Sequence, residues 1–261
     1  MKYFIDTEFL EGPQKEKFPI SLFRKQTPNT IDLISIGIVS EDEREYYAIS
    51  KDFNLEEAWN RFEWKHDLGE EPVKVYWLRE KVLKPIWRDL FFQADDCSGL
   101  SNKQTEAFYQ GVLSGGYDHY FSLKSMKALI EKYGKTNKEI TEEIVKFCEY
   151  RTQHEISLGR ILHSSHSKKP EFYAYYADYD WVVFCWLFGK MIDLPKGFPM
   201  YCKDLKQIFD EKEDWLKLQD MELPISLKQH TSYPVQNPLK SHNAIEDARW
   251  NKQFYKFLNK V

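Results

Sequence analysis

Hydrophobic and polar positions in the first part of the chain follow the two-residue period of β-strands. The apolar segments at 2–7, 30–40 and 45–50 have the length of ordinary strands, and polar residues separate them. The acidic run at 41–43 lies between the last two segments and predicts a turn. The pattern therefore predicts an antiparallel meander of three strands at the start of the fold.

Beyond the meander, apolar positions at helical spacing predict several helices. The pattern at 75–83 favours a helix, and Pro85 is expected to end it because proline removes a backbone donor. Thr136 with Glu139 three residues later is typical of a capping box, which predicts a core-facing helix from there. Another amphipathic helix is expected at 244–258.

The central and later segments give weaker patterns. Residues 93–138 are polar and contain glycines, apart from an amphipathic piece at 123–133, and we interpret them as a mainly helical insertion. An aromatic strand is predicted at 172–177, followed by a helix at 181–188 and a short strand at 200–205. Helices and strands therefore follow one another in the second half of the chain.

This order of elements predicts an α/β fold with a ribonuclease-H-like mixed sheet flanked by helices. Three strands come first, and helices and strands alternate only afterwards, which argues against a purely parallel, alternating order. At 261 residues and 31.3 kDa, the chain is expected to form one domain, 1–261, with room for an insertion.

Composition narrows the class of protein further. With 42% hydrophobic and 16% aromatic residues, the chain is too apolar to be disordered. The net charge of -4 gives no overall positive field for a nucleic acid, so metal ions and local basic side chains would have to attract such a substrate. The four cysteines lie far apart without a C-x-x-C pair, which indicates neither a zinc site nor a disulfide framework. The sequence lacks a membrane-length apolar run and a signal-peptide pattern, so the protein is expected to be cytoplasmic, without a membrane partner.

Two carboxylates in the first predicted strand region are the first chemical candidates. Asp6 and Glu8 are two residues apart, so their side chains project to the same face of a strand. Such crowding of negative charge favours a hard divalent cation such as Mg²⁺ or Mn²⁺. Taken alone, the pair is better explained as a solvated strand end with two exposed acids.

A third acid lies where the aromatic strand meets the following helix. Asp178 and Asp180 both lie in this region, from which a side chain can reach a site at the strand ends. Asp180 would also serve as the N-cap of a helix that begins at Trp181. The local pattern does not separate the two aspartates.

His242 and Asp247 are the remaining candidates. On a regular helix, a separation of five residues turns two side chains about 140° apart, so they come together only if the histidine precedes the helix. A histidine there has the near-neutral pKa that suits a general base, although in isolation an ordinary loop histidine explains it better. The four acids and the histidine together are typical of a two-metal phosphodiesterase site.

This combination resembles the DEDD superfamily of 3′-to-5′ exonucleases, in the branch with a histidine base. Closer still is the similarity to the bacterial polyadenylate-specific exoribonucleases, the ribonuclease AS family. It rests on YFIDTEF at 3–9, IDLISIGIVSEDEREYYAIS at 31–50, WLRE at 77–80 and YDWVV at 179–183. The resemblance selects Asp180 over Asp178, because the family pattern places its third acid directly after an aromatic residue. Against that pattern, 12–28 and 93–138 look like insertions.

The resemblance implies a role for each site residue. By that likeness, Asp6, Glu8 and Asp247 hold one of two divalent metal ions, Mg²⁺ or Mn²⁺. Asp6 would bridge to the second ion, and Asp180 would support that ion through water. His242 would take a proton from the attacking water.

The resemblance also implies a substrate and an assembly. The expected reaction releases nucleoside 5′-monophosphates from the 3′ end of single-stranded RNA, and a preference for adenylate follows from the family alone. Phe9 and the backbone near Ser35 and Ile36 are expected to pack the terminal base and ribose, with ordinary core packing as the alternative. The family implies a homodimer. A DNA-directed 3′-to-5′ exonuclease and a nuclease-derived binding module without catalysis are the alternative functions.

Overall fold

The computed structural model describes residues 1–14, 27–66, 71–94, 102–157, 169–218, 226–238 and 241–260. Its strands are β1 (Lys2–Gly12), β2 (Thr30–Ser40), β3 (Glu45–Ile49), β4 (Glu63–Lys65), β5 (Val73–Val75), β6 (Glu171–Ala174) and β7 (Lys203–Asp204). Its α-helices are α1 (Leu55–Asn60), α2 (Lys84–Ala94), α3 (Asn102–Leu113), α4 (Leu123–Tyr133), α5 (Asn137–Ser157), α6 (Ala177–Leu187), α7 (Leu205–Leu218) and α8 (Ala244–Leu258). None of the helices in these ranges is long and apolar enough to cross a membrane.

The main sheet has five strands in the order β3, β2, β1, β6 and β7. Strands β1, β2 and β3 form the predicted antiparallel meander, and β6 and β7 add to it in parallel with β1. Helices cover both faces. This mixed, flanked sheet is of the ribonuclease-H-like α/β type, which confirms the fold class predicted from the sequence.

Strand β1 lies at the centre because its alternating side chains serve both layers. Tyr3 and Ile5 pack with α5 and α6 in one hydrophobic core. Phe4 points to the opposite face and packs with α7 and α8 in another core. Asp6 and Glu8 continue the alternation from Phe4, so the carboxylates face the layer that contains α8.

Helix α8 lies close against the sheet at Gly37. This glycine pairs with Asp6 across β1 and β2, and a Cβ atom at its position would overlap the backbone carbonyl of Ala244. Further along α8, the Asn251 amide donates to the carbonyl of Ile5 at 2.8 Å. The start of α8 is therefore fixed beside the carboxylates of β1 by backbone contact.

We expect Gly37→Ala to destabilise the fold, because the added methyl group must push α8 away from the sheet. Overpacking of this kind costs about 1–3 kcal/mol, measured as a lower free energy of unfolding in urea. Gly111→Ala is the matched control, since Gly111 lies within α3, where alanine is the better helix former by about 1 kcal/mol. Equal stability of Gly37→Ala and the wild type would contradict the close contact.

Several elements agree with the sequence pattern. Strand β2 and helices α4 and α8 have the predicted bounds, 30–40, 123–133 and 244–258. The capping box before α5 is also confirmed, because the Glu139 amide donates to the Thr136 hydroxyl at 3.2 Å and the Thr136 amide donates to the Glu139 carboxylate at 2.7 Å. These are the elements with the strongest local signals.

A helix covers most of the predicted segment 75–83, but the expectation that Pro85 ends it is wrong. Residues 73–75 form β5, and a π-helical turn at Leu78–Leu83 leads directly into α2. The Lys84 amide donates to the carbonyl of Arg79 across the wide turn, and Pro85 follows in the first turn of α2. The wide turn carries the helix past Pro85, so the proline does not end it.

The junction before Asp180 also differs from the expected one. Strand β6 ends earlier than predicted, and α6 begins at Ala177, so Asp180 lies inside the first turn and is not the N-cap. Two features cause the early start. Tyr176 has a left-handed φ of 57°, and the Asp204 carboxylate accepts a hydrogen bond of 3.0 Å from the Ala177 amide. The interpretation of Asp180 as a cap is therefore wrong.

The two predicted insertions fall partly on residues that the structure does not describe. Of the predicted insertions, residues 15–26 and 95–101 lie outside the described ranges. The rest of the second one forms α3 and α4, and α4 packs with α1 and α2 in a core beside the meander. The sequence pattern did not predict α1, α7 or the two-stranded ribbon of β4 and β5.

Candidate active site

Five side chains from three parts of the fold surround one position at the sheet. Asp6 and Glu8 come from β1, Asp180 comes from α6, and Asp247 comes from the first turn of α8. His242 lies just before α8, on the N-terminal side of the Asn243 cap. The structure thus brings together all five catalytic candidates of the sequence analysis.

Glu8, His242 and Asp247 are the closest group. One possible ligand atom from each lies within 4.8 Å of the others, a spacing that a single metal ion could bridge. The His242 Nδ1 atom is 3.9 Å from Glu8 Oε1. Among the described residues, these three form the group of acidic and imidazole side chains with metal-binding geometry.

Asp180 is held in place by its neighbour on the central strand. Its Oδ1 atom accepts hydrogen bonds from the Thr7 amide at 2.8 Å and from the Thr7 hydroxyl at 2.6 Å. Asp178, the competing aspartate, lies on the exposed side of α6. The helix thus directs Asp180, and not Asp178, toward the other carboxylates.

Asp247 is held by two donors from outside its own helix. The backbone amide of His242 donates to its Oδ2 atom at 2.9 Å, and the side-chain amide of Gln236 donates to its Oδ1 atom. His242 adopts a left-handed φ of 61°, which turns the chain into the helix and places its amide over the carboxylate. The same backbone turn positions both the histidine and the aspartate.

The carboxylates repel one another in a poorly solvated place. Burial, followed by the neighbouring acids, raises the pKa of Asp6 and of Glu8 well above the usual range. Burial raises the pKa of Asp180 to about 7, even though the hydrogen bonds from Thr7 act in the opposite direction. Burial likewise raises the pKa of Asp247 to about 6, against the hydrogen bonds that it accepts.

These residues fit a divalent cation. Four carboxylates whose charges are destabilised by burial and by each other need positive charge to remain ionised at neutral pH. The structure supplies no Lys or Arg ion pair to Asp6, Glu8, Asp180 or Asp247 among the described residues. Oxygen donors of this type are those that Mg²⁺ and Mn²⁺ prefer.

His242 is half-exposed beside an aromatic ring. The ring of Trp77 meets the imidazole edge to face, with 4.9 Å between ring centroids and 71° between planes. Burial, followed by the charge of Lys81, lowers the pKa of His242 below its usual value of 6.5. At neutral pH the imidazole is therefore mostly uncharged, the form that accepts a proton.

The predicted substrate-binding residues have two different environments. Phe9 is half-buried and stacks on the exposed ring of Tyr179, with 5.7 Å between centroids and 14° between planes. Ser35 and Ile36 are fully buried in β2. Contact of their backbone with a terminal nucleotide stays a prediction.

Sequence reasoning missed four residues that shape this site. Thr7 lies between Asp6 and Glu8 in the sequence, and this position was the one sign that it acts in the site. Tyr179 precedes Asp180, and Trp77 begins the segment WLRE, but nothing local indicates what either ring contacts. Gln236 lies in an irregular segment without any periodic pattern, so no sequence signal marked it.

We expect Thr7→Val to weaken metal binding without unfolding the protein, because valine keeps the shape but loses the hydroxyl that holds Asp180. Loss of a group that orients a metal-binding carboxylate typically costs 10–100-fold. Since the Thr7 amide remains, we expect about a tenfold rise in the Mn²⁺ concentration for half-maximal activity. Thr7→Ser, which keeps the hydroxyl, is the control. Identical metal dependence of Thr7→Val and the wild type would show that the hydroxyl is dispensable.

Fold and site together define the class: a ribonuclease-H-like α/β protein with a cluster of four carboxylates and a histidine at its central strand. No protein-family model matches the chain. Two curated proteins of Mycobacterium tuberculosis are similar to it, each 24% identical over 214 residues that cover 81% of this chain and 76% of the relative. They are named 3′-5′ exoribonuclease Rv2179c, from strain H37Rv, and 3′-5′ exoribonuclease MT2234.1, from strain CDC 1551.

Proposed function

We propose that the protein is a divalent-metal-dependent 3′-to-5′ exoribonuclease that releases nucleoside 5′-monophosphates from single-stranded RNA. The observation that carries the proposal is the convergence of four carboxylates and one neutral histidine at the central strand. The two relatives, both named 3′-5′ exoribonuclease, support the activity and the polarity. Removal of adenylates in particular, as in the resembling family, is part of the proposal.

In this proposal, the chain's own residues have distinct tasks. Asp6, Glu8 and Asp247 would hold one divalent ion, and Asp6 and Asp180 would help to hold a second. Bound ions would make a water molecule more acidic and offset the negative charge that develops on the phosphate. His242 accepts the proton of the attacking water through its neutral imidazole.

The aromatic pair at the site gives the terminal nucleotide a place to bind. Phe9 follows Glu8 on β1, and Tyr179 precedes Asp180 on α6, so each ring is a chain neighbour of a carboxylate of the site. Strand alternation turns Phe9 toward the core on the other face of the sheet. Their stacked faces offer an apolar surface of the kind on which nucleobases stack. Phe9 is therefore proposed to contact the terminal base, with Tyr179 supporting its ring.

The deciding experiment compares RNA with DNA. The purified protein is incubated with 5′-labelled single-stranded RNA and matched DNA, with free or blocked 3′ ends, in Mg²⁺, Mn²⁺ or excess chelator. We expect a ladder that shortens from the free 3′ end of RNA, stops at a 3′ block and disappears with chelator. Adenylate preference is measured as the ratio of rates on poly(A) and poly(U).

Each of the other possible results of this digestion favours one of the alternative functions. Faster shortening of DNA than of RNA would favour a DNA-directed exonuclease with the same residues. Binding without shortening, with either ion, would favour a module that has lost catalysis. The proposed homodimer is tested separately by light scattering, where the mass of one chain, 31.3 kDa, would remove that part of the proposal.

A further inference from the structure

A small two-stranded ribbon projects beside the site. Within the described residues, strands β4 and β5 pair only with each other, and every residue of β4 is exposed. The register places Trp64 directly opposite Lys74, so these two side chains share one face. Isolated two-stranded ribbons are marginally stable, and contacts between side chains on one face hold them together.

One face of the ribbon consists of aromatic rings and a cation. Phe62 lies edge to face against Trp64, with centroids 5.6 Å apart, and contacts Tyr76 at 5.8 Å. The ammonium of Lys74 lies 4.2 Å from the ring of Phe62 and 5.3 Å from that of Trp64. We call Phe62, Trp64, Lys74 and Tyr76 the aromatic face. Trp64 is 54% exposed, so much of its ring is open to solvent.

Two cations of this region, Lys74 and Arg79, are not paired with acids in the described part of the chain. The guanidinium of Arg79 instead lies 3.7 Å from the ring of Tyr76. Glu63, the acid of β4, pairs with Val75 in the register and therefore points to the opposite face. The whole chain has a net charge of -4, so two unpaired cations beside aromatic rings give this region a local charge opposite to that of the chain.

The aromatic face is continuous with the active site. Tyr76 is its last ring, and the next residue, Trp77, contacts the imidazole of His242. Trp77 is 43% exposed, so its ring is open between the site and the ribbon. The chain neighbours Trp77 and Tyr76, the latter half-buried, thus connect the proposed general base to the ribbon.

We propose that the aromatic face binds the nucleotides of single-stranded RNA that lie on the 5′ side of the last two nucleotides at the 3′ end. Bases stack on the rings, and Lys74 and Arg79 contact phosphates, the combination by which proteins hold single strands without reading their sequence. This inference rests on the proposed exoribonuclease activity and extends it to a second region of the substrate. A second copy of the chain fits the aromatic face less well than RNA does. The cores of protein interfaces are depleted of lysine, and Lys74 lies at the centre of this face.

The test uses Trp64→Ala and Lys74→Gln in the full chain, with Trp215→Ala as the control. Trp215 is similarly exposed, at 58%, but lies on α7. Initial rates are measured with Mn²⁺ on an adenylate dinucleotide and on a decanucleotide. We expect Trp64→Ala to raise KM for the decanucleotide about tenfold, as expected from the loss of one base stack. Its kcat, and both constants for the dinucleotide, should match those of the wild type and of Trp215→Ala.

Lys74→Gln gives an independent readout, because it removes the charge and keeps a polar side chain that is only one atom shorter. For single-stranded nucleic acid, the slope of log affinity against log salt changes by about 0.7 for each phosphate contact. We therefore expect the salt dependence of decanucleotide binding, measured by fluorescence anisotropy, to weaken by about that amount. Thermal melting checks that both variants keep the fold.

The outcomes separate the two proposals. If the wild type shortens the decanucleotide and Trp64→Ala does so with unchanged KM, the inference about the ribbon is overturned while the exoribonuclease stands. A change from dimer to monomer in Trp64→Ala, with equal losses on both substrates, would assign the face to a second copy and also overturn it. If the wild type degrades neither substrate, the proposed activity fails. In that case, weaker binding of the labelled decanucleotide by Trp64→Ala than by the wild type, measured by fluorescence anisotropy, still supports nucleic-acid binding by the ribbon.

Discussion

Asp6→Asn is expected to abolish turnover and, in the same protein, to raise stability in the absence of metal. Activity should fall roughly a thousandfold or more, since bound metal supplies several kcal/mol to the transition state and each 1.4 kcal/mol is about tenfold. Stability should rise because Asp6 lies among Glu8, Asp180 and Asp247, whose charges oppose its own. Asparagine keeps the shape and removes one of the four charges.

The pH dependence of this effect has a defined sign. An acid whose pKa is higher in the folded than in the unfolded state binds protons more tightly when folded, so stability is lost as pH rises. Asp180, with a pKa of about 7, and Asp247, with a pKa of about 6, therefore destabilise the metal-free fold progressively from about pH 4 to pH 7. Asp6→Asn should reduce this loss of stability. The free energy of unfolding of the variant should therefore exceed that of the wild type by more at pH 8 than at pH 5.

Urea unfolding in excess chelator, at both pH values, measures this prediction. Glu171→Gln is the control, and it should lower the free energy of unfolding. The hydrogen bond from Lys203 lowers the pKa of Glu171, so the charge of Glu171 stabilises the fold. Adding Mn²⁺ should stabilise the wild type more than Asp6→Asn. A variant that is less stable than the wild type in chelator would contradict the repulsive cluster, whatever happens to activity.

The elements that the sequence predicted well are those whose signals are local. Strand β2 alternates and ends at an acidic turn, and α8 repeats apolar residues at helical spacing over its whole length. Asp6 and Glu8 face one side because strand geometry requires it, and Asp247 reaches the cluster because His242 precedes the helix. For these residues, local geometry allowed the side chains to meet, and the family resemblance was needed to select them as site residues.

The remaining features depend on partners that are distant in sequence. Helix α6 begins early because the Asp204 carboxylate, on a neighbouring strand, binds its first amide. The ribbon of β4 and β5 has strands too short for a periodic pattern, and its stability depends on contacts between Phe62, Trp64 and Lys74. The need for glycine at position 37 follows from its contact with α8, which the local sequence does not contain. Such effects follow from tertiary packing, which no window of sequence contains.

His242→Asn is expected to lower kcat by about 10²–10⁴-fold while metal binding changes little. Asparagine is the informative replacement because His242 has a left-handed φ of 61°, which asparagine tolerates and alanine adopts at a cost of about 1–2 kcal/mol. The amide of residue 242 continues to donate to Asp247, so the variant removes the imidazole alone.

The same variant decides between two roles that the geometry allows for this histidine. Its Nδ1 atom lies 3.9 Å from Glu8 Oε1, within a group that could hold a metal ion, so His242 could be a ligand instead of a base. A base predicts a loss in kcat with the half-saturating Mn²⁺ concentration within a few-fold of the wild type. A ligand predicts a large rise in that concentration, as in Asp247→Asn, and partial recovery of rate at high Mn²⁺. His119→Asn, at an exposed histidine before α4, controls for loss of an imidazole as such. Full activity of His242→Asn would exclude both roles and leave the carboxylates as the catalytic groups.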